Sequence, residues 1–191
     1  MRRLLLFSAS AIVFFLLFNT AGKAQSAEEK AWMDYMSPGQ IHQMIAKSDG
    51  EWDFDMTMWM AADQPPTKST GTTVNKMILG GRYQESIHKG TMMGMPFEGH
   101  GVLAYDNGKK IFVNSWIDNM GTGIMTTEGT WDDATKSITF TGKAYDPMTG
   151  KDMPVREIFK LLDDDHHQME MYMTHDGKEF KAMEIKFNRK K

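Results

Sequence analysis

The stretch GEWDFDMTMWM, residues 50–60, decides the fold of this chain. From Trp52 to Met60 every second side chain is apolar, and most of the side chains between them are Asp or Thr. An alternation with a period of two is typical of a β-strand with one apolar face. The sequence therefore predicts that a strand begins here, while the neighbouring strands decide which of its faces is interior.

Similar short stretches fill the rest of the chain, at residues 70–79, 82–91, 97–105, 110–117, 121–130, 136–144, 153–162, 166–174 and 179–188. The segments between them, such as Gly80-Gly81 and Asn107-Gly108, are rich in residues that favour tight turns. Short strands without crossover helices indicate an antiparallel meander, and closure removes its exposed edges. The predicted fold class is all-β, an antiparallel up-and-down barrel of about ten strands that could hold one small ligand. A β-sandwich with a solid core is the alternative.

The last hairpin permits a prediction of register. A two-residue loop at Asp176-Gly177 would place Met169 opposite a glutamate, whereas a three-residue loop from His175 to Gly177 would place it opposite Met183. A slip of one residue exchanges the two faces of a strand, so the better apolar match should prevail. We therefore predict the three-residue loop.

The barrel domain is predicted to span residues 37–191 and to begin with a short helix. Ser37 is a suitable N-cap, Pro38 suits the first helical position, and Gln40 suits the capping-box position. The helix should end near Lys47. Residues 25–36 form a polar lead-in.

Residues 1–24 have the pattern of a signal peptide. Arg2 and Arg3 precede an apolar run from Leu4 to Phe18, and the small residues Gly22 and Ala24, on either side of Lys23, precede a cleavage point after Ala24. The run is shorter than the roughly 20 residues of a spanning helix. We therefore expect export by the general secretory route to the periplasm or the exterior, with no membrane attachment after cleavage. An uncut membrane anchor is the alternative.

Charge and composition exclude several classes of partner. The chain has 22 basic and 25 acidic residues, and removal of residues 1–24 takes away three basic ones. The resulting acidic surface argues against nucleic acid and anionic membranes as partners. The chain has 0 cysteines and 19 methionines. Methionine is flexible and polarizable and therefore suits surfaces that adapt to varied apolar partners.

The candidate ligand-binding residues lie on central and late strands. The first group is a stripe on one face of a regular strand, formed by His167, Met169, Met171, Met173 and His175, of which the first four are the candidate ligand-binding residues. His88 and His100 are equidistant from Gly94, and a symmetric hairpin there would place them opposite each other. Two further candidates are Trp116, in an aromatic cluster, and Arg156, which could hold an acidic headgroup. The stripe also permits a Cu(I) site, since thioethers and imidazole suit that ion.

The start of the first strand resembles the lipocalin and calycin signature, Gly-x-Trp, here Gly50-Glu51-Trp52. The resemblance implies that Trp52 plugs one end of the barrel under a basic residue of the last strand, the position that Arg189 occupies. In nitrobindin-like haem barrels, glycines follow the Trp at two positions that are Phe54 and Met56 here. The sequence departs from that pattern, and no cofactor is predicted.

The chain from Ser37 onward also resembles the DUF1579 family, on the segments Gly50–Trp52, Gly80–Tyr83, Met95–Gly101, Tyr105-Asp106, Trp116–Thr122, Met169–Tyr172 and Met183–Ile185. This resemblance implies a lipocalin-like barrel and no particular activity.

The predicted function is binding of a small apolar or amphipathic molecule inside the barrel. The sequence shows no catalytic constellation, no Gly-x-Ser-x-Gly motif, no phosphate-binding loop and no cysteine nucleophile. The alternatives are copper handling by Met and His, a barrel enzyme that uses a carboxylate or His for proton transfer, and a filled structural module. The sequence makes no prediction of the oligomeric state.

Overall fold

A computed structural model describes residues 26–147, 149–175 and 177–191. The chain divides into two compact units, of which the first ends at Ser37 and the second begins at Pro38. In the first unit, residues 26–36 form helix α1. The predicted signal peptide lies outside the described residues. None of the described helices is long and apolar enough to cross a membrane.

The second unit begins with helix α2, which spans Gln40–Ala46 and is shorter than predicted. Its N-cap is Gly39 rather than Ser37, and the backbone N–H of Gly39 donates a 3.1 Å hydrogen bond to Nδ1 of His42. The predicted cap was wrong because the Ser37 hydroxyl donates instead to the carbonyl of Met33, in the last turn of α1.

Ten strands follow and confirm the predicted fold class. They are β1 (Gly50–Met58), β2 (Thr67–Ile78), β3 (Tyr83–Met92), β4 (Met95–Asp106), β5 (Ile111–Asp118), β6 (Met125–Asp132), β7 (Ser137–Asp146), β8 (Lys151–Leu161), β9 (His166–His175) and β10 (Lys178–Arg189). Each strand pairs antiparallel with its neighbour in sequence, and β1 pairs with β10, so that the sheet closes into a barrel. Closure therefore gives each strand of the described residues a paired neighbour on both sides.

The β9–β10 hairpin differs from its predicted register. His175 pairs with Lys178, so the loop has two residues rather than three, and Gly177 adopts a positive φ of 74°. A β-bulge at Ala182 then shifts the register, so that Met171 pairs with Met183. The three-residue loop was predicted because it would place the apolar side chains of β10 on the same face as those of β9. The bulge produces that same arrangement with a two-residue loop.

Buried apolar side chains of β1, β5, β7, β10 and α2 face the barrel interior and form two clusters. The first is centred on β1 and β10, with Trp52, Phe54, Met56, Ile185 and Phe187. The second lies under α2, with Ile45, Phe112, Ile138 and Phe140. Buried side chains therefore close the α2 end of the barrel, and some of them, such as Ile45 and Phe140, also line the remaining interior space.

Candidate ligand-binding cavity

The barrel interior contains a cavity of about 460 Å³. A volume of this size is typical of sites for small organic molecules. Most of its wall is apolar, and its largest group of side chains is the methionines Met44, Met56, Met58, Met60, Met92, Met125, Met169, Met171, Met173 and Met183.

The predicted stripe on β9 lies in this wall. His167, Met169, Met171 and Met173 all line the cavity, since alternate residues of a strand point to one face. Its three Met side chains are only partly buried by the protein. Flexible thioethers let such a wall adapt to the shape of its contents.

His88 also lines the cavity, and it is held by one hydrogen bond. Its Nδ1 lies 2.9 Å from the hydroxyl of Thr73, its neighbour on β2. Its ring packs edge-on against Trp116, with 5.0 Å between the ring centroids. Desolvation lowers the pKa of His88 to about 4, so the imidazole is neutral at physiological pH.

The predicted pairing of His88 with His100 does not form. His100 pairs with Ile87 and lies on the outer face, where its Nε2 lies 3.0 Å from a carboxylate oxygen of Glu98. The reason is the β3–β4 turn, in which Met92 pairs with Met95 and both Met93 and Gly94 have positive φ. Compared with a hairpin centred on Gly94, this two-residue turn shifts the pairing by one residue. His88 therefore lies opposite Gly99, and the two histidines point to opposite faces of the sheet.

Trp116 forms a fixed part of the wall. Its indole N–H donates a 2.8 Å hydrogen bond to the carboxylate of Asp118, and its ring lies against the backbone of Gly99 and Gly101 on β4. A Cβ atom at Gly99 would lie 2.6 Å from Cη2 of Trp116. The two glycines therefore create the space that the indole occupies.

The substitution Gly99→Ala is expected to lower the free energy of unfolding by about 1–3 kcal/mol, because the added methyl group overpacks the indole. Chemical denaturation monitored by tryptophan fluorescence measures both the stability and the displacement of Trp116. Gly123→Ala is the control, since a Cβ there meets nothing within 4 Å. Equal stability of the two variants would contradict the fixed position of the indole.

Glu157 also lines the cavity, and it was not predicted from the sequence. It is 6% exposed, and its carboxyl accepts one long hydrogen bond, 3.3 Å, from the hydroxyl of Thr127. Burial raises the pKa of Glu157 to about 7. A signal was present in the sequence, because Glu157 interrupts an apolar alternation from Val155 to Phe159.

Arg156 lies outside the cavity. Its guanidinium forms a bidentate ion pair with Glu179, at 2.6 and 2.9 Å, and lies 4.1 Å from the ring centroid of Tyr172. Neighbouring residues of a strand point to opposite faces, so the inward position of Glu157 requires that Arg156 point outward. The prediction that Arg156 holds a headgroup inside the barrel is therefore wrong.

The α2 end of the barrel is built around Trp52, which is 0% exposed. The guanidinium carbon of Arg189 lies 4.2 Å from the indole centroid, and the ring of His167 lies 4.3 Å from it. Arg189 also donates to the carbonyls of Lys47 and Asp49, which lie between α2 and β1. Gly50 has a φ of 120°, a conformation that favours glycine. Gly50, Trp52 and Arg189 therefore lie together, as the resemblance implied.

Metal ligands of the usual types do not cluster in the described part of the chain. No three His, Cys, Asp or Glu side chains there could hold a metal ion. A copper site built from the thioethers of β9 stays a prediction.

Comparisons with known proteins agree with this architecture. A family model described as "Protein of unknown function (DUF1579)" matches residues 37–189. No curated protein matches the chain at a significant level. The crystal structure of Rv2717c from M. tuberculosis is similar, with a TM-score of 0.61 and 14% identity over 81% of this chain and 100% of that one. The S-type phycobiliprotein lyase CPES from Guillardia theta has a TM-score of 0.58 and 12% identity, over 83% of this chain and 96% of that one.

Proposed function

We propose that this protein, which belongs to the DUF1579 family of proteins of unknown function, binds one small, largely apolar molecule inside its barrel. The observation that carries the proposal is the cavity of about 460 Å³ inside the barrel, which is closed at one end by side chains of α2 and of the strands beneath it. When a ligand covers a wall of thioethers and aromatic rings, the removal of this apolar surface from water favours binding. A few polar groups, among them His88 and Glu157, can orient a ligand within it.

The size of the space supports binding rather than a purely structural role. Protein interiors are normally packed to the density of organic crystals, and voids larger than a water molecule are few. The cavity of this barrel is far larger than such a void. A module that served only as a scaffold would be more stable with this space filled by side chains.

Filling the cavity should abolish binding. Met171 lines the cavity, and Met171→Trp places an indole in the space that the ligand would occupy. We expect roughly tenfold or more weaker binding of the neutral fluorophore Nile red, a loss of at least about 1.4 kcal/mol. Fluorescence titration of the purified protein provides the measurement.

Tyr172→Trp is the matched control for this experiment. Tyr172 is the next residue of β9, and it lies on the outer face under the guanidinium of Arg156. The control should bind Nile red as the wild type does. If Met171→Trp also kept wild-type affinity, or if the wild type bound no apolar probe, the cavity would not be the binding site.

We also propose that the protein acts outside the cytoplasm, in the periplasm or the exterior. The pattern of Arg2, Arg3 and the apolar run from Leu4 to Phe18 supports this location. The mass of the protein recovered from the envelope of its own host tests it. A chain that begins at Gln25 would support export, and a chain that retains residues 1–24 in the cytoplasmic fraction would contradict it.

A further inference from the structure

The cavity has an unbalanced charge. Among the described residues that line it, none is a lysine or an arginine, and two, Asp118 and Glu157, are acidic. The basic side chains of the neighbouring strands are used on the outside of the barrel. Arg156 pairs with Glu179, while Lys160 and Lys181 both pair with Glu170, at 3.1 and 2.7 Å.

The two cavity carboxyl groups differ in how far the protein satisfies them. One oxygen of Asp118 accepts from the indole of Trp116 at 2.8 Å, and the other accepts from the backbone of Met120 at 2.9 Å. Glu157 has only the 3.3 Å bond from Thr127, and no other described residue supplies it with a donor. A carboxylate can accept about four hydrogen bonds, so Glu157 has most of its capacity left.

The surroundings of Glu157 make this deficit costly. Its neighbours across the ladder are Phe140 on β7 and Met171 on β9, and neither can donate a hydrogen bond. A buried carboxylate with a single long hydrogen bond destabilises the protein unless it is neutralised or a ligand supplies further donors. The imidazoles of His88 and His167 give no compensating positive charge, because desolvation lowers the pKa of each to about 4.

Resting on the binding function proposed above, we propose that the ligand is an organic amine, with a protonated nitrogen bound by Glu157 and an apolar body against the methionines. A cationic N–H group supplies both the charge and the donors that Glu157 lacks. Aromatic rings in the wall, such as those of Phe140 and Trp116, favour a cation as well. A fatty acid or another apolar carboxylate would place a second negative charge near Glu157 with no cation to balance it.

A matched series of probes separates these ligand classes. Naphthylmethylamine, naphthylmethanol and naphthoic acid share one apolar ring system and differ in the polar group. At pH 8, calorimetric titration of the wild-type protein should give the tightest binding for the amine and the weakest for the acid, with a difference of roughly tenfold or more. This comparison needs no variant, and therefore it does not depend on whether a substitution folds.

The variant Glu157→Gln tests the residue itself. We expect it to weaken amine binding roughly tenfold and to change alcohol binding by less than roughly threefold, because only the amine uses the charge. Glu128→Gln, which removes an exposed carboxylate on the outer face of β6, should alter neither.

The outcomes distinguish this inference from the function on which it rests. Acid binding as tight as amine binding would overturn the amine assignment and leave cavity binding intact. An equal loss of all three probes in Glu157→Gln would also overturn it, since the carboxyl would then shape the cavity rather than bind the nitrogen. If the wild type bound neither Nile red nor any member of the series, both proposals would fail.

Discussion

Replacing Glu157 by glutamine is expected to raise the free energy of unfolding by up to about 3 kcal/mol at pH 8 and to leave it nearly unchanged near pH 4.5. The carboxyl is 6% exposed and has one long hydrogen bond. Glutamine has almost the same shape, and its amide oxygen can still accept from Thr127. The variant therefore removes the buried charge and changes little else.

The direction of this effect follows from proton binding. The unfolded chain releases the proton of Glu157 near its ordinary pKa of 4.5, whereas burial raises the pKa in the folded protein to about 7. Between these values the folded state binds more protons than the unfolded state, so its stability falls as the pH rises. The lowered pKa values of His88 and His167 make the stability of the folded protein fall as the pH drops below about 6.5. Both histidines are present in the wild type and in the variant, so their effect cancels when the two unfolding free energies are subtracted.

Urea denaturation at a series of pH values between 4.5 and 8 measures this difference. Glu128→Gln serves as the control, and it should follow the wild type throughout, because Glu128 is exposed. A Glu157→Gln variant that was less stable than the wild type at pH 8 would mean that the carboxylate is compensated inside the protein. That result would contradict the amine proposal, because Glu157 would then need no further hydrogen-bond donors or positive charge from a ligand.

Much of the fold could be predicted because several strands, such as β1 and β9, show an apolar period of two, and because turn residues separate the strands. On β1 the requirement for an apolar interior selects the residue type at every second position from Trp52 to Met58. On β2 and β3 it does not, since the inward residues there include Thr73, Gln84 and His88. The register of β9–β10 depends instead on a β-bulge at Ala182. The residues of the hairpin alone do not clearly favour a two-residue loop with a bulge over a three-residue loop without one. The position of the bulge could not be predicted from the hairpin sequence, because packing of the barrel interior determines the register.

The site was partly predictable for the same reason. His167 and the three methionines of β9 belong to the apolar phase of their strand, and they line the cavity. The pairing of His88 with His100 depended on the parity of one turn, and it was wrong by a single residue. Glu157 lies on the same face of β8 as the apolar residues Val155 and Phe159. Because glutamate is rarely buried, the sequence predicted no interior position for it.

Replacing Trp52 by alanine should cost about 3–5 kcal/mol of unfolding free energy, the range for truncating a buried aromatic side chain in a core that relaxes only partly. Trp52 has no exposed surface, and its indole N–H donates a 3.0 Å hydrogen bond to the carbonyl of Ser48. The loss would also remove the surface on which Arg189 and His167 lie. The barrel would then open at the end that α2 now closes.

Two further variants assign the cause of that loss. Trp52→Phe keeps an aromatic ring but cannot donate to Ser48, whose carbonyl still accepts from the amide of Asn75. It should therefore cost less than the alanine variant, about 1–2 kcal/mol. Trp32→Ala, at a residue of α1 that is 64% exposed, should change stability by less than about 0.5 kcal/mol. Thermal and chemical denaturation of the three variants provide the comparison. If Trp52→Ala were as stable as Trp32→Ala, closure of the sheet alone would hold the barrel, and the stacking of Arg189, Trp52 and His167 would contribute nothing to it.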